Sequence, residues 1–227
     1  MLQAPDLPSI FFYIIIHGLP ITLILTAHGL IWGFLIGLLL ALMRVYGTRE
    51  IEWVAIAYEK VFRGIPLLVL IFLFAFGVPG LFWFIDPLYR TLAAVILSLA
   101  LRSGAYQSQI LRGAILSVNP GQQLAARALG MSRLQAFRYV VMPQALRMAL
   151  PSWSNEYAVV IKDTTFASAV GIIEMLRVTF RVVANNPEML FPPLVILAII
   201  YLIFTYPITR FFGERQTQKL KDLGLGG

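Results

Sequence analysis

The feature that most constrains this chain is a long stretch near its N-terminus, residues 7–43, in which no side chain carries a formal charge. A membrane-spanning helix needs about 20 mainly apolar residues at 1.5 Å of rise each. The stretch is therefore too long for one span and too short for two spans joined by a turn. Gly18 and Pro20 indicate a break inside it, because proline suits the first turn of a helix. The sequence thus predicts an N-terminal interfacial segment over residues 1–19 and a first span over residues 20–43.

The composition extends this reading to the whole chain. Of the 227 residues, 59% are hydrophobic and 13% are charged, whereas soluble domains carry about a quarter charged residues. So much apolar surface needs lipid as well as protein to cover it, which excludes an ordinary globular enzyme, a disordered chain and a collagen-like chain. Because the sequence contains no cysteine, a disulfide framework and a thiolate metal site are excluded as well.

Four further apolar segments predict additional spans, at residues 55–76, 91–111, 148–170 and 189–209. Five spans put the two termini on opposite sides of the membrane. With the N-terminus outside, most of the 18 lysines and arginines lie on the cytoplasmic side, where membrane proteins concentrate them. The sequence therefore predicts an all-α membrane protein with a transmembrane domain over residues 20–213 and a cytoplasmic tail over residues 214–227.

The net charge of +7 is compatible with nucleic-acid binding, but another origin fits better. The chain has no basic stripe with interleaved aromatic residues of the kind that single-strand binders use. Basic residues on cytoplasmic loops account for the excess. We therefore expect no nucleic-acid partner.

The largest segment outside the predicted spans is a cytoplasmic loop, residues 116–142. Asn119 is a good helix N-cap, and Pro120 follows it at the first helical position. The segment between them and Gly130 consists of helix-forming residues, and glycine is the residue that commonly follows a helix C-terminus. The pattern predicts a short helix that ends in a tight turn.

A second short helix is predicted directly after this turn. Ser132 and Gln135 have the spacing of a capping box, and the helix that they open is predicted to stop before Pro143. Four uncharged side chains fall on one face of the first helix, namely Leu124, Ala125, Ala128 and Leu129. This face either packs on the protein's own core or docks onto a partner, and the pattern alone leaves both alternatives open.

Polar side chains form a seam along the predicted span at residues 148–170. Glu156 and Asp163 are seven residues apart and share a helix face with Ser152. Counted from residue 148, the two carboxylates lie roughly 12 Å and 22 Å into the bilayer, bracketing the depth at which transporters bind solutes. Ionisable groups at that depth cost roughly 2.5 to 3.5 kcal/mol each, so they face a partner, the bundle interior or a wet cavity. The seam indicates either a translocation pathway or ion pairing with neighbouring helices.

Two arginines in or near the predicted spans each have two possible roles. Arg102 lies inside the span at residues 91–111, and its guanidinium suits bidentate binding of a carboxylate. That carboxylate belongs either to a substrate or to Glu156 or Asp163. Arg63 is predicted to anchor the start of the second span at the cytoplasmic interface, or else to take part in coupling to a partner.

Several ordered stretches resemble the ABC importer permeases, and more closely their polar amino-acid branch. Residues 121–151 resemble the EAA loop of these permeases: Ala125, Ala126 and Gly130 match its pattern, and Leu124 stands where the family usually has glutamate. The other matching stretches are HGLPITL at 17–23, VFRGIPLLV at 61–69, SGAYQSQILRGAI at 103–115 and LPSWSNEYAVVIKDTTFAS at 150–168.

The resemblance implies a half-transporter in a prokaryotic inner membrane that imports an amino acid. Two permease subunits, identical or homologous, would work with two cytoplasmic ATPases and an external solute-binding protein. The chain has no G-x-x-x-x-G-K-[ST] phosphate loop. We therefore expect ATP and Mg²⁺ to bind the ATPase subunit, and this chain to be no enzyme and to need no cofactor.

The resemblance and the polar residues within the predicted spans together give two sets of candidate functional residues. The set that would couple to the ATPase is Gln123, Leu124, Ala125, Ala126, Arg127, Ala128 and Gly130. The set that would line the substrate pathway is Arg102, Ser152, Asn155, Glu156, Asp163 and Thr164.

Two other functions stay open from the sequence. The chain could serve an importer of another small solute, such as methionine or an organic acid. It could also be a self-sufficient channel or secondary carrier that uses Arg102, Glu156 and Asp163 as an ion path, although such a protein has no need of the cytoplasmic helix pair. An intramembrane enzyme is disfavoured, because we find no paired nucleophile and base and no cluster of metal ligands.

Overall fold

The computed structural model describes residues 6–78, 80–214 and 217, and within them the chain is almost entirely helical, with no strand. The helices are α1 (Leu7–Tyr46), α2 (Arg49–Gly64), α3 (Leu67–Phe72), α4 (Pro87–Ser117), α5 (Pro120–Ala128), α6 (Arg133–Ala136), α7 (Met142–Asp163), α8 (Met175–Asn185) and α9 (Phe191–Ile208). Short π-helical turns follow α3, α6 and α9, and 3-10 turns follow α7 and α8. The predicted all-α membrane architecture is confirmed.

Helix α1 runs through Pro20 without a break, so the predicted interruption at Gly18 and Pro20 is wrong. Proline inside a helix removes one backbone hydrogen bond, but this segment has local support. The Thr22 hydroxyl donates to the Gly18 carbonyl over 3.2 Å. Gly18 also lies so close to α8 that a Cβ atom there would come within 2.6 Å of the Met175 Cα. Tertiary packing therefore keeps the segment helical.

Three helices of the described chain are long and apolar enough to cross a membrane, namely Leu7–Tyr46, Pro87–Ser117 and Phe191–Gly213. The predicted span at residues 55–76 is not one straight helix, because α2 and the segment Leu67–Gly77 meet at a 99° bend. Pro66 explains the bend, since proline disfavours helical geometry at the preceding residue. Counting the bent pair as one span gives four.

Helix α7 differs from its prediction at both ends. The helical backbone does not stop before Pro143: a π turn at Phe137–Val141 leads directly into Met142–Asp163, with Pro143 in the first turn of α7. The missing N–H of proline costs least there, because first-turn N–H groups have no partner within the helix. After Asp163 the chain tightens into a 3-10 turn, Thr164–Val170. The predicted span at residues 148–170 is therefore two elements, and it is not among the strongly apolar helices.

The core is built around α1. Its contact with α4 is the most extensive contact between two elements of the described chain. Three apolar clusters surround α1: one with α8 and α9, one with α4 and α7, and one with α3, α4 and the 3-10 turn after α7. Small residues allow the close approach of α1 and α4. At Gly37, a Cβ atom would come within 2.8 Å of the Gln107 Cβ and 2.9 Å of the Ser108 nitrogen.

The predicted tail, residues 214–227, lies outside the described residues except at Glu214 and Thr217. The Thr217 hydroxyl donates to the Gly213 carbonyl over 2.7 Å.

Candidate functional site

A buried polar network joins α1, α4 and α7 around Glu156. The Glu156 side chain is 4% exposed, and its Oε1 accepts a hydrogen bond from the Ser103 hydroxyl over 2.7 Å. Gln107 Nε2 donates to Ser103 over 3.0 Å and to the Leu30 carbonyl over 3.1 Å. The Trp153 indole donates to Gln107 Oε1 over 2.9 Å. A buried carboxylate is stable only with such partners, so the network fixes Glu156 in place.

Sequence reasoning identified Glu156 but missed Ser103 and Gln107. Both residues lie within the stretch that resembles the permease motif at 103–115, four residues apart and therefore on one face of α4. This four-residue spacing was the sequence signal that could have identified Ser103 and Gln107 as neighbours in one polar network.

The next pair of charges connects α4 to the end of α7. Arg102 Nη1 donates to Asp163 Oδ2, so in this structure the ion pair that was one of the two possible roles of Arg102 is formed, with Asp163 as the partner. The two side chains remain 20% and 15% exposed. The Arg102 guanidinium also lies 5.0 Å from the centre of the Tyr106 ring, which is within range of a cation–π interaction.

A polar cavity of about 690 Å³ lies beside this pair. Tyr106 of α4 lines one part of it, and Ser152, Asn155 and Glu156 of α7 line another. Ser152 and Asn155 are exposed. The structure thus brings together three of the predicted pathway residues and places Arg102 and Asp163 next to them, because Arg102 and the cavity share the Tyr106 ring.

Thr164, the sixth predicted pathway residue, lies elsewhere. It is fully buried, and its hydroxyl donates to the Ile161 carbonyl over 2.7 Å. Thr164 opens the 3-10 turn after α7 and is not among the residues that line the cavity. Among the residues described, no group of three His, Cys, Asp or Glu side chains is arranged to hold a metal ion.

The cytoplasmic loop forms a separate candidate surface. Asn119 caps α5 by accepting from the Gly121 N–H over 2.8 Å. Both hydrogen bonds of the predicted capping box at Ser132 and Gln135 are present. Gly130 has φ of +87°, a left-handed conformation that favours glycine.

The uncharged face of α5 points away from the bundle. Leu124 is 70% exposed and Leu129 is 81% exposed, and Ala125 and Ala128 are exposed between them. Ala126 alone in this helix is buried, on the side that packs against the rest of the loop. An exposed face of this kind fits docking onto a partner better than packing on the protein's own core.

One polar cluster escaped the sequence analysis. Glu59 of α2 is only 2% exposed and accepts hydrogen bonds from Arg44 over 2.7 Å, Ser108 over 2.6 Å and Gln109 over 3.1 Å. The Arg44 contact is also an ion pair. The sequence predicted only that basic residues gather on the cytoplasmic side, and no local pattern indicated that three helices meet at Glu59.

Comparison with known proteins places these features in a family. A family model described as the binding-protein-dependent transport system inner membrane component matches residues 33–220. The glutamine transport system permease protein GlnP of Escherichia coli strain K12 is 35% identical over 215 residues, which cover 92% of this chain and 94% of that protein. The arginine transport system permease protein ArtQ of Bacillus subtilis strain 168 is 32% identical over 96% of this chain and 97% of that protein.

Solved structures agree with this assignment. The crystal structure of an amino acid ABC transporter with histidines matches with a TM-score of 0.75 and 32% identity, over 92% of this chain and 97% of that one. An inward-facing MetNI methionine ABC transporter matches with a TM-score of 0.69 over 89% of this chain and 94% of that one. At 21% identity, the second match shows the shared fold alone. The predicted resemblance is confirmed: the chain belongs to the family of inner membrane components of binding-protein-dependent ABC transport systems.

Proposed function

We propose that this permease forms half of the translocation pathway of an amino-acid importer. Relatives that span nearly its whole length are named for glutamine and arginine transport. In this proposal a second permease subunit, identical or homologous, completes the pathway. An external solute-binding protein delivers the amino acid, and a separate cytoplasmic ATPase binds ATP and Mg²⁺.

The observation that carries the proposal is the exposed, uncharged face of α5. A helix whose N-cap and C-terminal glycine turn are both in place is a rigid body, and it can transmit the movement of a partner into the bundle. Gln123 and Arg127 complete this coupling surface around Leu124, Ala125, Ala128 and Gly130, and the buried Ala126 holds α5 against the rest of the loop. A self-sufficient channel or carrier has no use for such a surface.

The cavity beside α7 is the proposed contact with substrate. Ser152 and Asn155 offer exposed hydrogen-bonding groups, and Glu156 offers a carboxylate that is already oriented by Ser103. A preorganised carboxylate is a suitable partner for the ammonium group of an amino acid, because charge-assisted hydrogen bonds are about twice as strong as neutral ones. Arg102 and Asp163 border this contact, and Thr164 supports the backbone behind it.

The test is reconstitution of the permease in liposomes with its cytoplasmic ATPase and its solute-binding protein. We expect uptake of a radiolabelled amino acid that requires ATP and both partners. Replacing Ala125 with Glu should leave the protein inserted but separate ATP hydrolysis from uptake. Uphill uptake by the permease alone would favour a secondary carrier, and an ion current through it would favour a channel. Uptake limited to a solute other than an amino acid would contradict the substrate class.

A further inference from the structure

We infer that the ion pair of Arg102 and Asp163 makes the pathway selective for amino acids with an uncharged side chain and disfavours cationic ones. This inference rests on the proposed function and adds the substrate class. It concerns the charges that remain available to a substrate once the pair has formed.

Asp163 is not available to a positively charged substrate. Its carboxylate is already bound by the Arg102 guanidinium. A substrate ammonium or guanidinium would have to displace Arg102, and guanidinium–carboxylate pairs are among the strongest contacts between side chains. Displacement would also leave the Arg102 charge without a partner in a setting that is only 20% exposed, which is costly.

Among the described residues, Glu156 and Arg63 are charged groups at or beside the cavity that form no ion pair, one of each sign. Glu156 lines the cavity and is held by a hydrogen bond from Ser103. Arg63 is exposed, and its guanidinium lies 5.0 Å from the centre of the Tyr106 ring. Within the described part of the chain Arg63 forms no ion pair. The Tyr106 ring therefore contacts both arginines while it lines the cavity.

One free carboxylate and one free guanidinium match the two charges common to all α-amino acids. Glu156 suits the substrate ammonium, and Arg63 suits the substrate carboxylate. Within the described residues of this cluster, no second unpaired carboxylate is left for a cationic side chain, because Asp163 is paired with Arg102. Lys162, which is exposed and adjacent to Asp163 in sequence, adds a further positive charge and makes a cation still less favourable.

The experiment measures binding of L-glutamine, L-glutamate and L-arginine by calorimetry to the permease–ATPase complex in lipid nanodiscs. We expect the wild type to bind L-glutamine and to bind L-arginine about tenfold more weakly or worse, since tenfold corresponds to only about 1.4 kcal/mol. Arg102→Gln frees Asp163 and should strengthen L-arginine binding about tenfold. Asp163→Asn frees Arg102 and should shift the preference toward L-glutamate.

Two further variants serve as controls. The double variant Arg102→Gln with Asp163→Asn removes both charges and should restore the wild-type ranking of the three ligands. It also keeps the test informative if Arg102→Gln does not fold. Arg90→Gln removes an exposed arginine from the start of α4, where Arg90 donates to the Ile85 carbonyl, and should change nothing.

The results distinguish failure of the selectivity inference from failure of the proposed function. Equal wild-type affinity for L-arginine and L-glutamine would overturn the inference, and so would a folded Arg102→Gln or Asp163→Asn variant whose ranking is unchanged. A wild-type complex that binds none of the three ligands and takes up no amino acid would overturn the proposed function itself.

Discussion

At the scale of single residues, Gly130 sets the geometry of the turn that ends α5, and so of the proposed coupling surface. Its φ of +87° lets the chain reverse after α5, so that the Met131 N–H donates to the Ala126 carbonyl over 3.2 Å. No atom lies within 4 Å of the position where a Cβ would stand. Substitution by alanine therefore adds backbone strain without a clash.

Gly130→Ala should loosen the turn at a cost of roughly 1 to 2 kcal/mol, the penalty for a left-handed L-residue. Gly171 is the matched control, because it has φ of +88° and equally open space but lies far along the chain from α5. Thermal unfolding should show similar losses for both alanine variants. ATPase activity stimulated by the solute-binding protein should fall only for Gly130→Ala, and an equal fall for Gly171→Ala would contradict the coupling role.

Glu59 is a buried carboxylate with three hydrogen-bond partners from two other helices. Removing one side of a buried ion pair leaves the other charge uncompensated, so Glu59→Ala should cost roughly 3 to 5 kcal/mol of stability. Replacing both Glu59 and Arg44 with Met should cost less than Glu59→Ala alone. Thermal unfolding in detergent measures each effect. The control is Glu50→Ala, at an exposed position of the same helix. If Glu50→Ala lowered the stability as much as Glu59→Ala, the buried ion pair would not be the cause of the loss.

At the scale of elements, the loop formed by α5 and α6 is a basic surface around an apolar centre. Residues 116–142 contain three arginines and no acidic residue. Leu124, Leu129 and Leu134 are each at least 70% exposed. We expect the partner groove to be apolar where it meets these leucines, because a buried charge without a partner is unfavourable.

Leu124→Glu should therefore weaken the association of the ATPase with the permease about tenfold, equivalent to about 1.4 kcal/mol. Leu124→Met conserves volume and apolarity and should have little effect. Co-purification at graded detergent and salt concentrations gives the comparison. Stronger association of the glutamate variant would mean that the groove offers a cation at this position, as expected for permeases that carry glutamate there.

The contact of α1 with α4 is the second feature at this scale. Gly37→Ala places a Cβ atom within 2.8 Å of Gln107 and should destabilise the bundle by about 1 to 3 kcal/mol through overpacking. Gly113→Ala in α4 meets no atom within 4 Å and should be neutral, or stabilising by up to about 1 kcal/mol through helix propensity. Thermal unfolding compares the stability of the Gly37→Ala and Gly113→Ala variants. Equal stability of the two would show that the contact of α1 with α4 tolerates an added methyl group at Gly37.

At the scale of the whole molecule, local chemistry made some features predictable from the sequence. The caps of α5 and α6 involve residues at most three apart, so the pattern at Asn119 and Ser132 was sufficient. Pro20 and Pro143 were misread because tertiary support and a π turn decide whether the helix continues. The partners of Glu59 and the choice of Asp163 by Arg102 depend on how separate helices pack, which no local spacing encodes.

The orientation of the whole chain in the membrane is a prediction that the absence of cysteine makes easy to test. The distribution of the 18 lysines and arginines predicts the N-terminus outside and α5 in the cytoplasm. A Ser9→Cys variant, at an exposed position of the first turn of α1, should react with a membrane-impermeant maleimide in intact spheroplasts. Gln122→Cys, exposed on α5, should react only after permeabilisation. The opposite pattern would place α5 outside, away from any cytoplasmic ATPase, and would remove the physical basis for coupling through Leu124 and Leu129.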